Sequence, residues 1–477
     1  MSLPQKGRPP EAILADLEAF KKADADAKGG RLWSLVYYLN PELLDLAAKA
    51  YRQYILENPL NPAAFPSLKR LQGDILRATY ELFHLPPEGG GTLTSGGTES
   101  LFLALYAARS YAQQHRPEIT QPEVVAPSSI HPAVDKAAHY LGLRLIRTPL
   151  TEGGTADPEA MEKAISPNTI LLLASAPAYP HGVMDPIAEV AALARRYNLL
   201  FHVDACIGGF ILPFLERLGV EIPPFDFRVE GVTSLSADLH KYGYTPKGLS
   251  VLLYRTRALR RYQFFVQEAW SGGIYGSVGF AGTRSAGVLA AGWAVLQYLG
   301  QNGYLAAAQQ AWTATQRLKA ALTEIPALYL VGKPVATIVA LAAHPPLNIY
   351  EIADELAQRG WFLDRQQNPP SIHLTITAAH ATVMDAFIED LRAVVAKLQR
   401  GARPRYWYER LRQGLIARVL RWLPQSWVDR LVQRFRPQAS ELSPKRLAPI
   451  YGLLGALPSG GPTREVVLDF LEKSLDA

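Results

Sequence analysis

The stretch SADLHKYGYTPKG (Ser236–Gly248) sets His240, Lys241 and Lys247 between two apolar runs. A lysine that follows a strand among aromatic rings loses hydration, which lowers its pKa and makes the amine nucleophilic toward a carbonyl. Upstream, HVDACIGGF (His202–Phe210) puts Asp204 at the end of a very apolar strand. A charge buried there is costly without a partner. A protonated pyridine nitrogen would be one such partner; a helix cap or a structural hydrogen bond is the plainer use. Cys206 reads as a small buried residue. Earlier still, GTLTSGGTES (Gly91–Ser100) is a glycine-rich turn leading into a helix, whose first amides suit a phosphate. It is not a Walker A loop, because no lysine follows the glycines, and it lacks the full GxGxxG spacing. Phosphate-binding amides, a carboxylate and a nucleophilic lysine together match the needs of pyridoxal 5'-phosphate (PLP).

Holding three such loops together requires a frame. From about Asn61 to Gln310 short apolar runs (EVVAP, TILLLASAP, NLLFHVDA, VTSLS, LSVLLY) alternate with helical stretches. That alternation predicts an α/β domain with a mainly parallel sheet, active at its strand ends. Residues 1–60 read as a helical, polar segment, and 311–477 as a smaller C-terminal α/β domain. The run Ser285–Gly300 reads as a buried core helix, and a long amphipathic helix is expected beyond Gln310. The chain of 477 residues is 48% hydrophobic, enough for a large core, and it has one cysteine, so no intrachain disulfide can form. The N-terminus lacks the apolar core of a signal peptide, and no run of about 20 apolar residues is present to cross a bilayer. A soluble, cytoplasmic protein is expected, with no metal and no nucleic-acid partner.

Taken in order, TSGGTES, HVDACIGGF and SADLHKYGYTPKG resemble the sphingosine-1-phosphate lyases. These form a branch of the PLP-dependent group II decarboxylases, in the fold-type I (aspartate aminotransferase-like) superfamily. SAPAYPHGVMDP (Ser175–Pro186), HPAVDKAAHYLGL (His131–Leu143), GGIYGSVGFAGTRSAG (Gly272–Gly287) and APIYGLLGALP (Ala448–Pro458) extend the resemblance from about Leu32 to the C-terminus. The resemblance implies that Lys241 carries PLP as a Schiff base and that His240 contacts the cofactor phosphate. Gly97 and Thr98 would cradle that phosphate, Asp204 would hold the pyridine nitrogen protonated, and His131 and Ala205 would flank the ring. It also implies carbon–carbon cleavage of a phosphorylated long-chain amino alcohol into a fatty aldehyde and phosphoethanolamine. The alternatives are an amino-acid decarboxylase of the same family, with Arg284 as the nearby cation, and an inactive lipid-binding homologue.

On the substrate side the resemblance implies that Lys247 binds the substrate phosphate, with Tyr179 and His181 near the pocket mouth. Tyr37 is expected to reach the active site of a neighbouring copy in a homodimer that residues 1–60 help to wrap. Two places depart from the family pattern. NPLNP carries Asn61 where the family has histidine; asparagine can bond a phosphate but cannot carry charge or move a proton. WSLVY carries Ser34 and Leu35 in place of glycine and alanine. One segment, 401–437, looks inserted and holds nine arginines against Glu409 and Asp429. Its apolar stripe and aromatic residues suit either internal packing or a peripheral membrane contact.

Overall fold

The computed structural model describes residues 3–61 and 63–400, with Leu468 and Glu472. The basic segment 401–437 and the motif Ala448–Pro458 lie outside the described residues. Seven strands form the main sheet: β1 (Gly90–Thr94), β2 (Glu123–Pro127), β3 (Arg144–Thr148), β4 (Thr169–Ser175), β5 (Leu200–Asp204), β6 (Ser234–Ala237) and β7 (Ser250–Tyr254). Their order is β1-β7-β6-β5-β4-β2-β3. Strands β3, β2, β4, β5 and β6 pair in parallel, and β7 runs antiparallel to both its neighbours. The mainly parallel sheet matches the expectation from alternation. Every residue of β2 and β4 is buried, as helices on both faces require of continuous apolar strands. The edge strand β3 instead exposes Arg144, which pairs with Glu123 on β2 at 2.8 Å.

Because β7 reverses twice against its neighbours, β1 points the same way as β4, β5 and β6. The carboxyl ends of β1, β2, β4, β5 and β6 therefore open on one edge. The loops leaving that edge carry, in turn, Gly97, His131, Tyr179, Asp204 and Lys241. Ligand sites of open α/β sheets form at such an edge.

A hairpin, β8 (Phe265–Gln267) with β9 (Tyr275–Ser277), precedes the helix Ala286–Thr323. The segments expected as separate helices meet end to end at Gly300, whose non-helical backbone, with a φ of 51°, kinks the rod they form. The far half of the rod packs Ala314, Leu318 and Leu322 against a second core. There β10 (Leu328–Leu330), β11 (Ile338–Ala343), β12 (Asp364–Gln366) and β13 (Ser371–Thr375) form an antiparallel sheet in the order β10-β11-β13-β12. Trp33, from the N-terminal segment, is fully buried in this same core. Its amide donates to the Phe362 carbonyl at 3.1 Å, and its carbonyl accepts from Thr375 at 2.8 Å. No helix among the described residues is long and apolar enough to cross a membrane.

Candidate active site

The lysine loop joins β6 to β7 and is bolted from three sides. The Tyr242 hydroxyl donates to the Ile376 carbonyl at 2.9 Å and accepts from Thr337 Oγ1 at 2.7 Å, tying the loop to the smaller sheet. The Tyr304 hydroxyl, on the long rod, donates to the Gly243 carbonyl at 2.8 Å. Within the loop, the His240 amide donates to the Leu249 carbonyl at 3.1 Å. Gly243 must be glycine: a Cβ there would lie 2.3 Å from the Leu239 carbonyl oxygen. Tyr242, next to Lys241, is thus a fastener whose hydroxyl fixes the loop.

A cavity of about 320 Å³ opens between this loop and the other strand ends. It is lined by Gly97, Thr98, His131, Tyr179, Asp204, His240 and Lys241, among others. Ala205 is fully buried behind Asp204 and does not line it. Asp204 is buried at the end of β5, and its Oδ1 accepts from the Cys206 amide at 3.0 Å, which aims the carboxylate. His131 Nδ1 accepts from the Ala133 amide at 3.1 Å, and the ring meets Tyr179 edge-on at 6.1 Å. Burial lowers the His131 pKa, with Asp204 pushing the other way, so the ring is held neutral. A third anchor is Tyr179, whose ring stacks on the buried His373 at 4.3 Å and whose hydroxyl faces Asp364 Oδ2 at 3.4 Å. Burial, then Asp364, pushes its pKa up to about 12, leaving a protonated phenol.

The site fits PLP on its own chemistry. Gly97 begins the helix Gly97–His115, whose first amides have no carbonyl one turn back to bond. A Cβ on Gly97 would come within 2.8 Å of Cys206 Sγ, so only glycine leaves space beside those amides. His240 is partly buried, and its Nδ1 has no hydrogen-bond partner among the described residues. An anion at the helix end would satisfy both groups, and Asp204 offers a carboxylate to a cation within the same cavity.

Lys247 and Tyr37 meet just beyond the lysine. Lys247 Nζ lies 5.0 Å above the Tyr37 ring and donates to the His240 carbonyl at 3.1 Å. Burial, and then the charge of Lys241, lowers the Lys247 pKa to about 8. The Tyr37 ring packs edge-on to Tyr242 of the same chain at 5.1 Å. Within the chain, the short link from the buried Trp33 places Tyr37 beside Lys247. Asn61 is exposed and does not line the cavity. Its Oδ1 accepts from the Ala63 and Ala64 amides at 3.1 and 3.3 Å, forming an asparagine turn. His181 is buried, with neither ring nitrogen hydrogen-bonded among the described residues. Arg284 turns to the Leu93 carbonyl at 3.4 Å and does not line the cavity.

Two residues that sequence reasoning passed over belong to the site. Asp238 is buried three residues before Lys241, and its Oδ2 lies 3.0 Å from Lys241 Nζ. Glu99 closes the glycine-rich turn, accepting from the Ser95 amide at 2.7 Å and, through its other oxygen, from the Phe280 amide at 2.9 Å. Both stand inside the quoted motifs, so position relative to the lysine and the glycines was the available signal.

The model of the pyridoxal-dependent decarboxylase conserved domain matches residues 34–343. Sphingosine-1-phosphate lyase 1 of Rattus norvegicus is 42% identical over 402 residues, covering 84% of this chain and 70% of that protein. The structure of a Burkholderia pseudomallei sphingosine-1-phosphate lyase superposes with a TM-score of 0.81 at 36% identity, covering 86% of this chain and 96% of that one. A glutamate decarboxylase from Lactobacillus brevis shares the fold, with a TM-score of 0.73 at 20% identity over 83% of this chain and 95% of that one.

Proposed function

The chain belongs to the pyridoxal-dependent decarboxylase family and, within it, to the sphingosine-1-phosphate lyases, and from that membership we propose that it cleaves a phosphorylated long-chain amino alcohol such as sphingosine 1-phosphate. The enzyme is a PLP-dependent lyase of fold type I. The observation that carries the reading is the convergence of Lys241, Asp204 and the Gly97 helix end on one cavity, with Lys247 at its side.

Lys241 would tether the cofactor, Asp204 would face its ring nitrogen, and His131 would flank the ring. Gly97, Thr98 and His240 would hold its phosphate. Bound PLP supplies an electron sink for the charge left on the substrate's Cα. In the overall reaction the β-hydroxyl loses its proton, Cα–Cβ breaks to give the fatty aldehyde, and Cα gains a proton to give phosphoethanolamine. Lys247, with its ammonium above the Tyr37 ring, would take the substrate phosphate and fix the amino alcohol in one orientation. The Tyr179 phenol keeps its proton at neutral pH and can donate to an oxygen of the substrate. Asn61, committed to its own turn, supplies neither charge nor proton.

The protein acts as a homodimer in this reading. Phe265, Val266, Trp270, Ile274 and Phe280, on and beside the hairpin β8–β9, expose an apolar surface of the kind a second copy covers. The reading as a whole is tested by Lys241→Ala, expected to fold normally yet lose both turnover and covalently held PLP. Turnover at a near wild-type rate in that variant would overturn it.

A further inference from the structure

We propose that Asp238 is a positioning residue that holds the free Lys241 amine as an ammonium ion against the end of the helix Gly97–His115, and so sets the pH at which this lysine reacts with an aldehyde. The inference rests on Lys241 being the PLP-bearing lysine. The two residues are joined by backbone as well as side chain: the Lys241 amide donates to the Asp238 carbonyl at 3.3 Å. The Asp238 side chain is 2% exposed and its Oδ2 lies 3.0 Å from Lys241 Nζ. His240 Nε2 stands farther from the same oxygen, at 3.6 Å, beyond hydrogen-bond range. The other oxygen, Oδ1, has no hydrogen-bond partner among the described residues. Both oxygens press on the first residue of the helix, 3.0 and 3.2 Å from where a Cβ of Gly97 would sit.

A buried carboxylate with one oxygen unbonded is costly, and the lysine ammonium is the nearest group that offsets the cost. Lys241 is surrounded by opposing influences. Burial is the largest and favours the neutral amine; Asp238 comes next, and with the more distant Asp204 it opposes burial and raises the pKa. On the basic side stand His131, His240 and Lys247, the last two drawn down by burial and by Lys241 itself. The Tyr179 phenol adds no charge at neutral pH. Asp238 is the one carboxylate of this set in direct contact with the amine.

The consequence is chemical. Capture of an aldehyde joins Lys241 Nζ to the aldehyde carbon and releases the oxygen as water, and it requires the nitrogen lone pair. The ammonium proton must first leave to solvent, so a tighter ion pair means slower capture at a given pH. Asp238 would thus favour a parked, protonated lysine over an indiscriminately reactive one.

The experiment uses the full chain freed of PLP, pulse-labelled with acetic anhydride across about pH 6 to 11, with Lys241 followed by peptide mass spectrometry. In the wild type the half-reactive pH should lie above that of an ordinary lysine. In Asp238→Asn it should fall by at least about one unit, with about tenfold more label at pH 8 and a parallel rise in the rate of PLP uptake. Asp238→Ser gives the same comparison if the asparagine variant does not accumulate folded. An unchanged labelling midpoint in a folded variant overturns the proposal, because a structural role for Asp238 would not move it. Borohydride fixation of PLP to a different lysine would instead sink the functional reading, while the labelling shift would remain separately measurable.

Discussion

Lys247 sits where the substrate's phosphate is proposed to bind, and its charge changes within reach of ordinary buffers. Burial, then Lys241, holds its pKa at about 8, so the free enzyme carries the ammonium below that pH and loses it above. Capture of a phosphorylated substrate, read as kcat/KM, should therefore decline above about pH 8. Lys247→Met should abolish that limb and raise KM by about tenfold to a hundredfold, the worth of a charge-assisted bond of about 1.5–3 kcal/mol, with kcat little changed. A variant that kept the limb would assign it to another group. At this scale the sequence was informative wherever backbone motifs place a residue: Lys241, Asp204, His131, Gly97 and Thr98 share one cavity. It was silent where placement depends on a distant contact. Tyr37 beside its own Lys247 and Asn61 locked in a turn follow from how the N-terminal segment threads, which no local pattern encodes. Asp238 escaped notice because a carboxylate three residues before a lysine has many everyday uses.

Among the elements, the loop after β4 is braced by Asp185. Asp185 is buried and accepts from the Ala156 amide at 2.7 Å and the Ser175 amide at 2.8 Å, closing the loop that bears Tyr179. Burial raises its pKa to about 6 against the pull of those two amides. Asp185→Ala would leave two buried amides unpaired, each costing about 1–3 kcal/mol. The expected outcome is a lower midpoint in thermal or urea unfolding, together with weaker catalysis through a displaced Tyr179. Unchanged stability would show that water replaces the carboxylate. Strands β2, β4, β5, β6 and β7 were legible as short apolar runs, whereas Gly90–Thr94 reads as part of a glycine-rich turn and β3, with Arg144 and Arg147, carries too little apolar pattern. The reversal of β7 was not legible, since an apolar run reads the same in either direction. The break at Gly300 was legible, because a glycine can end one helix in a backbone conformation that side chains disfavour before a second helix runs on to Thr323.

For the whole molecule, the exposed apolar hairpin β8–β9 predicts a dimer in sedimentation equilibrium, shifted toward monomer by Trp270→Glu and Ile274→Glu together. A monomeric wild type of full activity would remove the homodimer from the account. The long rod, the smaller sheet and the N-terminal segment, through Tyr37, all meet at the lysine loop, so the site depends on elements spread from Tyr37 to Ile376. The central claim concerns which bond is broken. Incubating the PLP-loaded enzyme with sphingosine 1-phosphate and quantifying both products is the most direct measurement. The account predicts fatty aldehyde and phosphoethanolamine in equal amounts, absent with Lys241→Ala; carbon dioxide released from an amino acid, with no aldehyde from the lipid, would contradict it.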